Sequence, residues 1–501
     1  MRIKIDPVTR LEGHLSLSLE IDGGKVVSAY CSGTMFRGFE LLLQGRDPYD
    51  ACPISQRICG VCPVSHGIAS ALCLEQALGI QLSDNARLLR NLILGANFIQ
   101  SHLTHFYHLC ALDFVDITAL AGYAGQDPLW TGLRDWYASE LASSSLHPAA
   151  PFLPRYVADY ITDPATNLGV IQHYFQALSM RSLAHEMVAV FGGKAPHPAA
   201  IVPGGVTCVP TLDRIEAYGS RLQQLQDFID TTYLPDVVAI AKAFPQYGKV
   251  GQGPRRLLSY GAFPEDSAGA SLLAAGVYAA GQVTPLDPKN ITEDTASAWF
   301  STPSGLNPSS GQTVPAPTKD GAYSWVKAPR YGGAVVEVGP LARVLVTQAA
   351  GTNPDLSALL SGVLAQLNAT PGVLFSALGR HIARAVECKL VAMRCAAWLD
   401  QLQPDLAGGQ GYPVPQSGSG MGLMEAPRGA LGHWVTIANR VIEAYQCVVP
   451  TTWNCSPRDD RGQPGAVEQA LVGVPVADKD NPIEAMRVLR SFDPCLACAV
   501  H

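Results

Sequence analysis

Residues 2–33 alternate apolar and polar side chains, with Ile3 and Ile5, then Leu15, Leu17, Leu19 and Ile21 in step. That period buries one face of each segment, so strands are predicted, with Asp22-Gly23-Gly24 as a hairpin turn before Val26 and Val27. Further on the period lengthens to that of helices. An apolar helix is predicted over 65–78, a long one over 84–115 opened by Asp84, and others over about 165–191, 211–244 and 373–402. Asn167 and Thr211 are candidate caps, and Asp213 and Glu216 suit the first turn of the 211–244 helix. Helices of this length imply a long bundle core.

Two stretches break the pattern. Between about 246 and 345, Gly, Pro and Ser dominate, as in Ser301-Thr302-Pro303-Ser304-Gly305-Leu306-Asn307-Pro308, with a β-like Val335-Val336-Glu337-Val338. A linker between two domains is one reading; flanking apolar strands favour a loop-rich, partly β excursion on the bundle surface. Residues 404–460 are again Gly/Pro-rich, from Gly408-Gly409-Gln410-Gly411-Tyr412-Pro413 onward, around a helix predicted over about 431–446. No internal repeat is present. The expected fold is mainly α with minor β (α+β), one domain over 1–501.

Composition narrows the function. With 501 residues, 48% hydrophobic and only 15% charged, the chain can bury a very large core, and the low charge hints at a covered surface. A net charge of −7 and a pI near 5.9 argue against nucleic acid as a partner. No apolar run reaches the roughly 18 residues that span a bilayer. Met1-Arg2-Ile3-Lys4-Ile5-Asp6 lacks the apolar core of a signal peptide. Membrane attachment, if any, is expected through partners.

Of thirteen cysteines, nine are scattered and read as small buried hydrophobes, Cys31, Cys388 and Cys447 among them. The other four form two Cys-x-x-Cys pairs at opposite ends: Arg57-Ile58-Cys59-Gly60-Val61-Cys62-Pro63 and the terminal Asp493-Pro494-Cys495-Leu496-Ala497-Cys498-Ala499-Val500-His501. Two intervening residues let both sulfurs face one point, and four thiolates fill the inner shell of a soft metal. Spacing alone leaves open a structural Zn(Cys)4 site or two unrelated pairs. A loop opening a helix also favours thiolates electrostatically. Two other features are ambiguous. Glu12 sits in a Gly-containing turn, where an isolated carboxylate is usually solvated; His102, His105 and His108 share one side of a helix, which suits a metal less often than a packed interior.

The sequence around the pairs resembles the large subunit of nickel-iron hydrogenases. The resemblance rests on both cysteine motifs with His66, on Arg10-Leu11-Glu12-Gly13-His14, Phe36-Arg37-Gly38-Phe39-Glu40 and Gly192-Gly193-Lys194-Ala195-Pro196-His197-Pro198. It continues through Glu425-Ala426-Pro427-Arg428-Gly429 and Val449-Pro450-Thr451-Thr452-Trp453-Asn454, in family order over the whole chain. It implies that Cys59, Cys62, Cys495 and Cys498 bind nickel, with Cys62 and Cys498 bridging to an iron that carries cyanide and carbon monoxide. It implies Arg428 beside Pro427 over the site, Asp493 in the same canopy, Thr451 on a cyanide, His66 near a bridging thiolate, and Glu12 relaying protons from Cys495. It also implies a magnesium-like ion (or iron) held by Glu40, His501 and the carbonyl of Cys447. One departure stands out: Ser101 occupies a position where many relatives carry Asp, which puts a two-carboxylate canopy in doubt.

The chain has no cysteine clusters of ferredoxin-like spacing. The resemblance therefore implies an iron-sulfur small subunit as partner, in a heterodimer or a dimer of heterodimers. The terminal motif is most like the respiratory uptake group, which implies a periplasmic or membrane-associated location through the small subunit, a cytoplasmic one being the alternative. The family precursor is cut after this histidine, so a chain ending at His501 fits the matured form, with its end tucked inside. Competing expectations are a hydrogen-sensing relative and a zinc-stabilised scaffold; the related quinone-reducing subunit of respiratory complex I lacks the paired cysteines.

Overall fold

The computed structural model describes residues 1–142, 158–266, 268–406 and 412–501. Its N-terminal strands are those the alternation predicts: Arg2–Ile5, Leu15–Asp22 and Lys25–Gly33 pair antiparallel in that order, Leu17 opposite Cys31. Gly23 and Gly24 turn the hairpin.

The helix Pro63–Leu78 starts directly after Cys62, with Pro63 at its first position, where the missing N–H is no loss. Asp84–Leu103 is capped by Ser83, and it packs against both Pro164–Gly192 and Ala377–Gln401 in the bundle. The helix expected to run on to 115 does not stay α. It widens into π turns over Thr104–Cys110 and tightens over Ala111–Asp113, so the three histidines fan out rather than converge. Asp163, not Asn167, caps Pro164–Gly192. Asn167 lies a turn inside and ties the backbone of Asp116 instead, accepting at 2.7 Å and donating at 2.8 Å. The 211–244 prediction holds as Leu212–Phe228, a π turn over Ile229–Tyr233, and Leu234–Ala243. Thr211 takes the cap position without a side-chain bond; Asp213 is in the first turn and Glu216 beyond it.

The helix expected over 431–446 is wrong. These residues lie in a three-stranded antiparallel sheet of Ser417–Ala426, Gly429–Ala438 and Val441–Val448. A short apolar run fits a buried strand as well as a helix, and the turn is made by Asn439 and Arg440, both at positive φ. Gly418, Gly420 and Gly422 recur at every second position for a physical reason. A Cβ at each would collide with the carbonyls of Ala77, Cys73 and Ala69, so the strand lies directly on the Pro63–Leu78 helix. Gly408–Gly411 falls outside the described residues.

The 246–345 excursion is partly β, with Arg256–Pro264, Ser271–Ala279 and Gln282–Thr284 in one sheet and Ile291–Asp294 paired to Ala328–Tyr331. The stretch around Val336 forms no strand, only a bridge from Glu337 to Leu257. Nor is the excursion merely superficial. Leu258, Tyr260 and Val277 share a buried cluster with Trp434, Val448 and Trp453.

Candidate metal centre

The fold brings the two chain ends together. The backbones of Glu12 and Cys495 form a parallel bridge. Arg37 then staples both cysteine loops, donating to the carbonyls of Arg57 and Ile58 before the first pair and to Ala497 within the second. As a result all four paired thiols are buried and converge. Cys59 and Cys495 Sγ are 3.5 Å apart, Cys62 and Cys498 3.3 Å, and Cys495 and Cys498 3.1 Å.

These separations bear on what the site can hold. A tetrahedral zinc shell with bonds of about 2.3 Å puts its sulfurs roughly 3.8 Å apart. Thiols this close can all reach one metal or a pair of metals. The Cys59 thiol is held well below its ordinary value by hydrogen bonds from Cys495, Cys498 and Cys62. Cys498 is pushed up by burial and by the thiols beside it. Four thiolates can therefore coexist here only around cationic charge, which is what a bound metal provides.

The side chains around the sulfurs are fixed from several elements. The turn after Ser417–Ala426 carries Arg428, which pairs with Asp493 at 3.0 Å; its Nε and Nη1 are buried without hydrogen-bond partners among the described residues. Burial opposes the Arg428 charge, but Asp493 and the thiols hold it firmly protonated. Gly339 and Gly429 let this turn pass at contact distance, since a Cβ on Gly339 would press on the Arg428 carbonyl. Arg343 clamps the same turn: it donates to the carbonyls of Ala426 and Pro427, each at 2.8 Å, and to Glu425 at 2.7 Å. Glu387 grips Arg343 through both carboxylate oxygens and accepts from His102 at 2.8 Å. Thr451 Oγ1 accepts the Cys495 N–H at 2.9 Å, which leaves its own proton free to donate. His66 Nε2 lies 3.4 Å from Cys498 Sγ. Glu12 is half-buried, and desolvation together with the negative charge of Cys59 raises its carboxyl. Ser101 is fully buried, its hydroxyl without a partner among the described residues.

A second cluster joins Glu40, Cys447 and His501. Glu40 accepts the Cys447 N–H at 2.8 Å and a hydrogen bond from Thr313, with Lys327 3.5 Å away. His501 Nδ1 must donate to the Cys498 carbonyl 2.6 Å away, so in the neutral ring Nε2 is an acceptor facing Glu40 Oε1 at 3.2 Å. Two acceptors so placed call for a proton or a cation between them, and a small hard cation fits. Lys327 is balanced in turn by Glu293, 3.2 Å away. Sequence reading missed Lys327, Glu293 and Thr313, polar residues inside the Gly/Pro-rich excursion, as well as Arg343, Glu387 and His433.

A third grouping, His105, Cys110 and His381, has metal-ligand chemistry but the wrong surroundings. Burial and the Arg384 guanidinium hold both imidazoles well down, and His105 Nε2 is engaged by the Arg490 carbonyl at 2.7 Å. The Arg384 charge opposes a further cation there. His108 turns away to the Tyr174 carbonyl.

A buried four-sulfur site assembled from both ends of an α+β chain defines a thiolate metal-binding protein. The comparisons make it specific. Residues 37–501 match the nickel-dependent hydrogenase family and residues 2–32 a HoxL-like segment. The chain is 42% identical to the periplasmic [NiFeSe] hydrogenase large subunit of Desulfomicrobium baculatum, covering all of this chain and 95% of that one. It is 37% identical to the hydrogenase-2 large chain of Escherichia coli, over all of this chain and 97% of that one. The [NiFeSe] hydrogenase structure from Desulfovibrio vulgaris Hildenborough superposes with a TM-score of 0.90 at 44% identity, covering 100% of this chain and 99% of that one. The chain belongs to the nickel-dependent hydrogenases: it is a catalytic large subunit, an oxidoreductase that cleaves dihydrogen beside a small subunit. No described helix is long and apolar enough to cross a membrane.

Proposed function

We propose that Cys59, Cys62, Cys495 and Cys498 hold one nickel and one iron, Cys62 and Cys498 serving both, with cyanide and carbon monoxide completing the iron. The convergence of four buried sulfurs carries this reading. The bound metals supply the soft, electron-accepting centre that polarises dihydrogen for heterolytic cleavage. The chain's own residues then handle the proton. Cys495 Sγ takes it first, and the Glu12 carboxylate, raised toward its partner by burial, carries it outward. Arg428, held by Asp493 and following the buried Pro427, keeps a fixed positive charge beside the sulfurs. Thr451, whose own proton is free, would donate to a cyanide on the iron, and His66 would donate to Cys498.

Glu40, the Cys447 carbonyl and His501 hold Mg2+ (or iron) against the C-terminal pair. Electrons leave through iron-sulfur clusters of a small subunit, in a heterodimer or a dimer of heterodimers. The location follows that subunit, periplasmic or membrane-attached. Although some of its relatives are named [NiFeSe] hydrogenases, this chain has cysteine at all four paired positions. Metal analysis of the purified complex should give nickel and iron with no selenium from this chain, and infrared spectra should show carbon monoxide and cyanide bands. A zinc-only centre would overturn the reading. Hydrogen-dependent dye reduction separates a turnover enzyme from a hydrogen sensor.

A further inference from the structure

One file of side chains leads away from the sulfurs into the sheet. His66 Nε2 faces Cys498 Sγ at 3.4 Å, His66 Nδ1 faces His433 Nε2 at 3.2 Å, and His433 Nδ1 faces the Tyr445 hydroxyl at 2.8 Å. All three side chains are sealed from solvent. His433 and Tyr445 sit on neighbouring strands, His433 opposite Cys447 and Tyr445 opposite Val435, so they are diagonal neighbours.

The chemistry of the ends fixes the direction of the file. The hydrogen-bond partners of the two enclosed rings are a thiol, each other and a phenol, with no carboxylate among them, so each ring is a neutral imidazole with one N–H and one lone pair. A metal-bound thiolate has no proton and can only accept. His66 must then carry its proton on Nε2 and accept at Nδ1, His433 must donate from Nε2 and accept at Nδ1, and Tyr445 must donate. The opposite order needs a protonated Cys498. In the forward order three donors point the same way, each polarising the next.

We propose that His433 and Tyr445 are positioning residues that lock His66 in the one tautomer able to donate to Cys498, so a phenol two rings away sets the hydrogen bond on this sulfur. The inference rests on the reading of Cys498 as a bridging thiolate. Its test is infrared spectroscopy of the purified heterodimer, following the carbon monoxide and cyanide bands. Losing the donor leaves the sulfur richer in electrons and so the iron too, which moves these bands to lower wavenumber. Tyr445→Phe frees His433 to place its proton on Nδ1, and His433→Leu breaks the file outright. Both should shift the bands downward with nickel and iron content unchanged. His433→Gln, whose amide can donate to His66 and accept from Tyr445, should bring the bands back toward wild type. Unmoved bands in Tyr445→Phe and His433→Leu would overturn the proposal. So would loss of nickel and iron in Tyr445→Phe, which would make the phenol a packing element. Absence of diatomic bands from the wild type would instead sink the reading of the centre.

Discussion

Glu12 and Cys495 are joined through their backbones, the Leu496 N–H donating to the Glu12 carbonyl at 2.7 Å. The candidate proton carrier and the sulfur it would serve are thus brought together by main-chain pairing. Gly13, at φ +82, makes that contact feasible because its Cα lies against the Ala497 backbone.

Gly13→Ala should therefore break the docking of the C-terminal pair. The left-handed conformation alone costs about 1–3 kcal/mol in a non-glycine residue, and the collision adds to it. The expected outcome is a chain that accumulates with little nickel; full metal occupancy measured on the purified variant would contradict it.

Glu12→Gln keeps size and hydrogen bonding but removes the exchangeable proton. Turnover should drop by roughly 10²-fold or more, the scale of a lost general acid-base step. Metal content and infrared bands should stay close to wild type, while hydrogen–deuterium exchange with solvent falls alongside turnover. Near-normal exchange would move the proton route, with Arg428 the next group to test.

Cys498→Ser should abolish both the metal centre and activity. Cys388→Ser, buried in the bundle helix Ala377–Gln401 and outside the four paired thiols, should cost only packing, about 1–3 kcal/mol, with metal content intact. Thermal unfolding with metal analysis of the two variants separates the roles.

The Arg343–Glu387 pair predicts an acid limb. Burial opposes the Glu387 charge, but Arg343 and His102 bring its carboxyl from 4.5 down to about 2. A group depressed in the folded state stabilises above its unfolded value, so this contribution, about 3 kcal/mol, is complete above pH 4.5 and disappears as pH falls toward 2. Glu387→Gln leaves Arg343 half-paired and should cost about 3–5 kcal/mol at neutral pH. Denaturant titrations across that range should show the gap to wild type closing on acidification.

Much of the candidate site was legible because its residues sit in short contiguous motifs: both cysteine pairs, Glu12, Arg428 and Thr451 occur in such motifs, and the structure places them around the converging sulfurs. What could not be read depends on long-range pairing. The apolar run at 431–446 satisfies either period, and only contact with the Pro63–Leu78 helix, through glycines on a neighbouring strand, decides for β. Misreading it as helix hid His433, whose direction toward His66 follows from the strand register. Lys327 and Glu293 were invisible for a similar reason, since Lys327 is meaningful only opposite Glu40 and Glu293 only opposite Lys327.

The sulfurs that meet at the centre come from residues 436 positions apart, Cys62 with Cys498 and Cys59 with Cys495. A metal bound there closes nearly the whole polypeptide into a ring, and a ring that long restricts the unfolded chain by about 6 kcal/mol in simple chain-entropy terms. Mechanically the ring is a short circuit. Tension applied between the first and last residues of the loaded protein would run through the metal–sulfur bonds and bypass the helical bundle, which would carry load only after those bonds had parted.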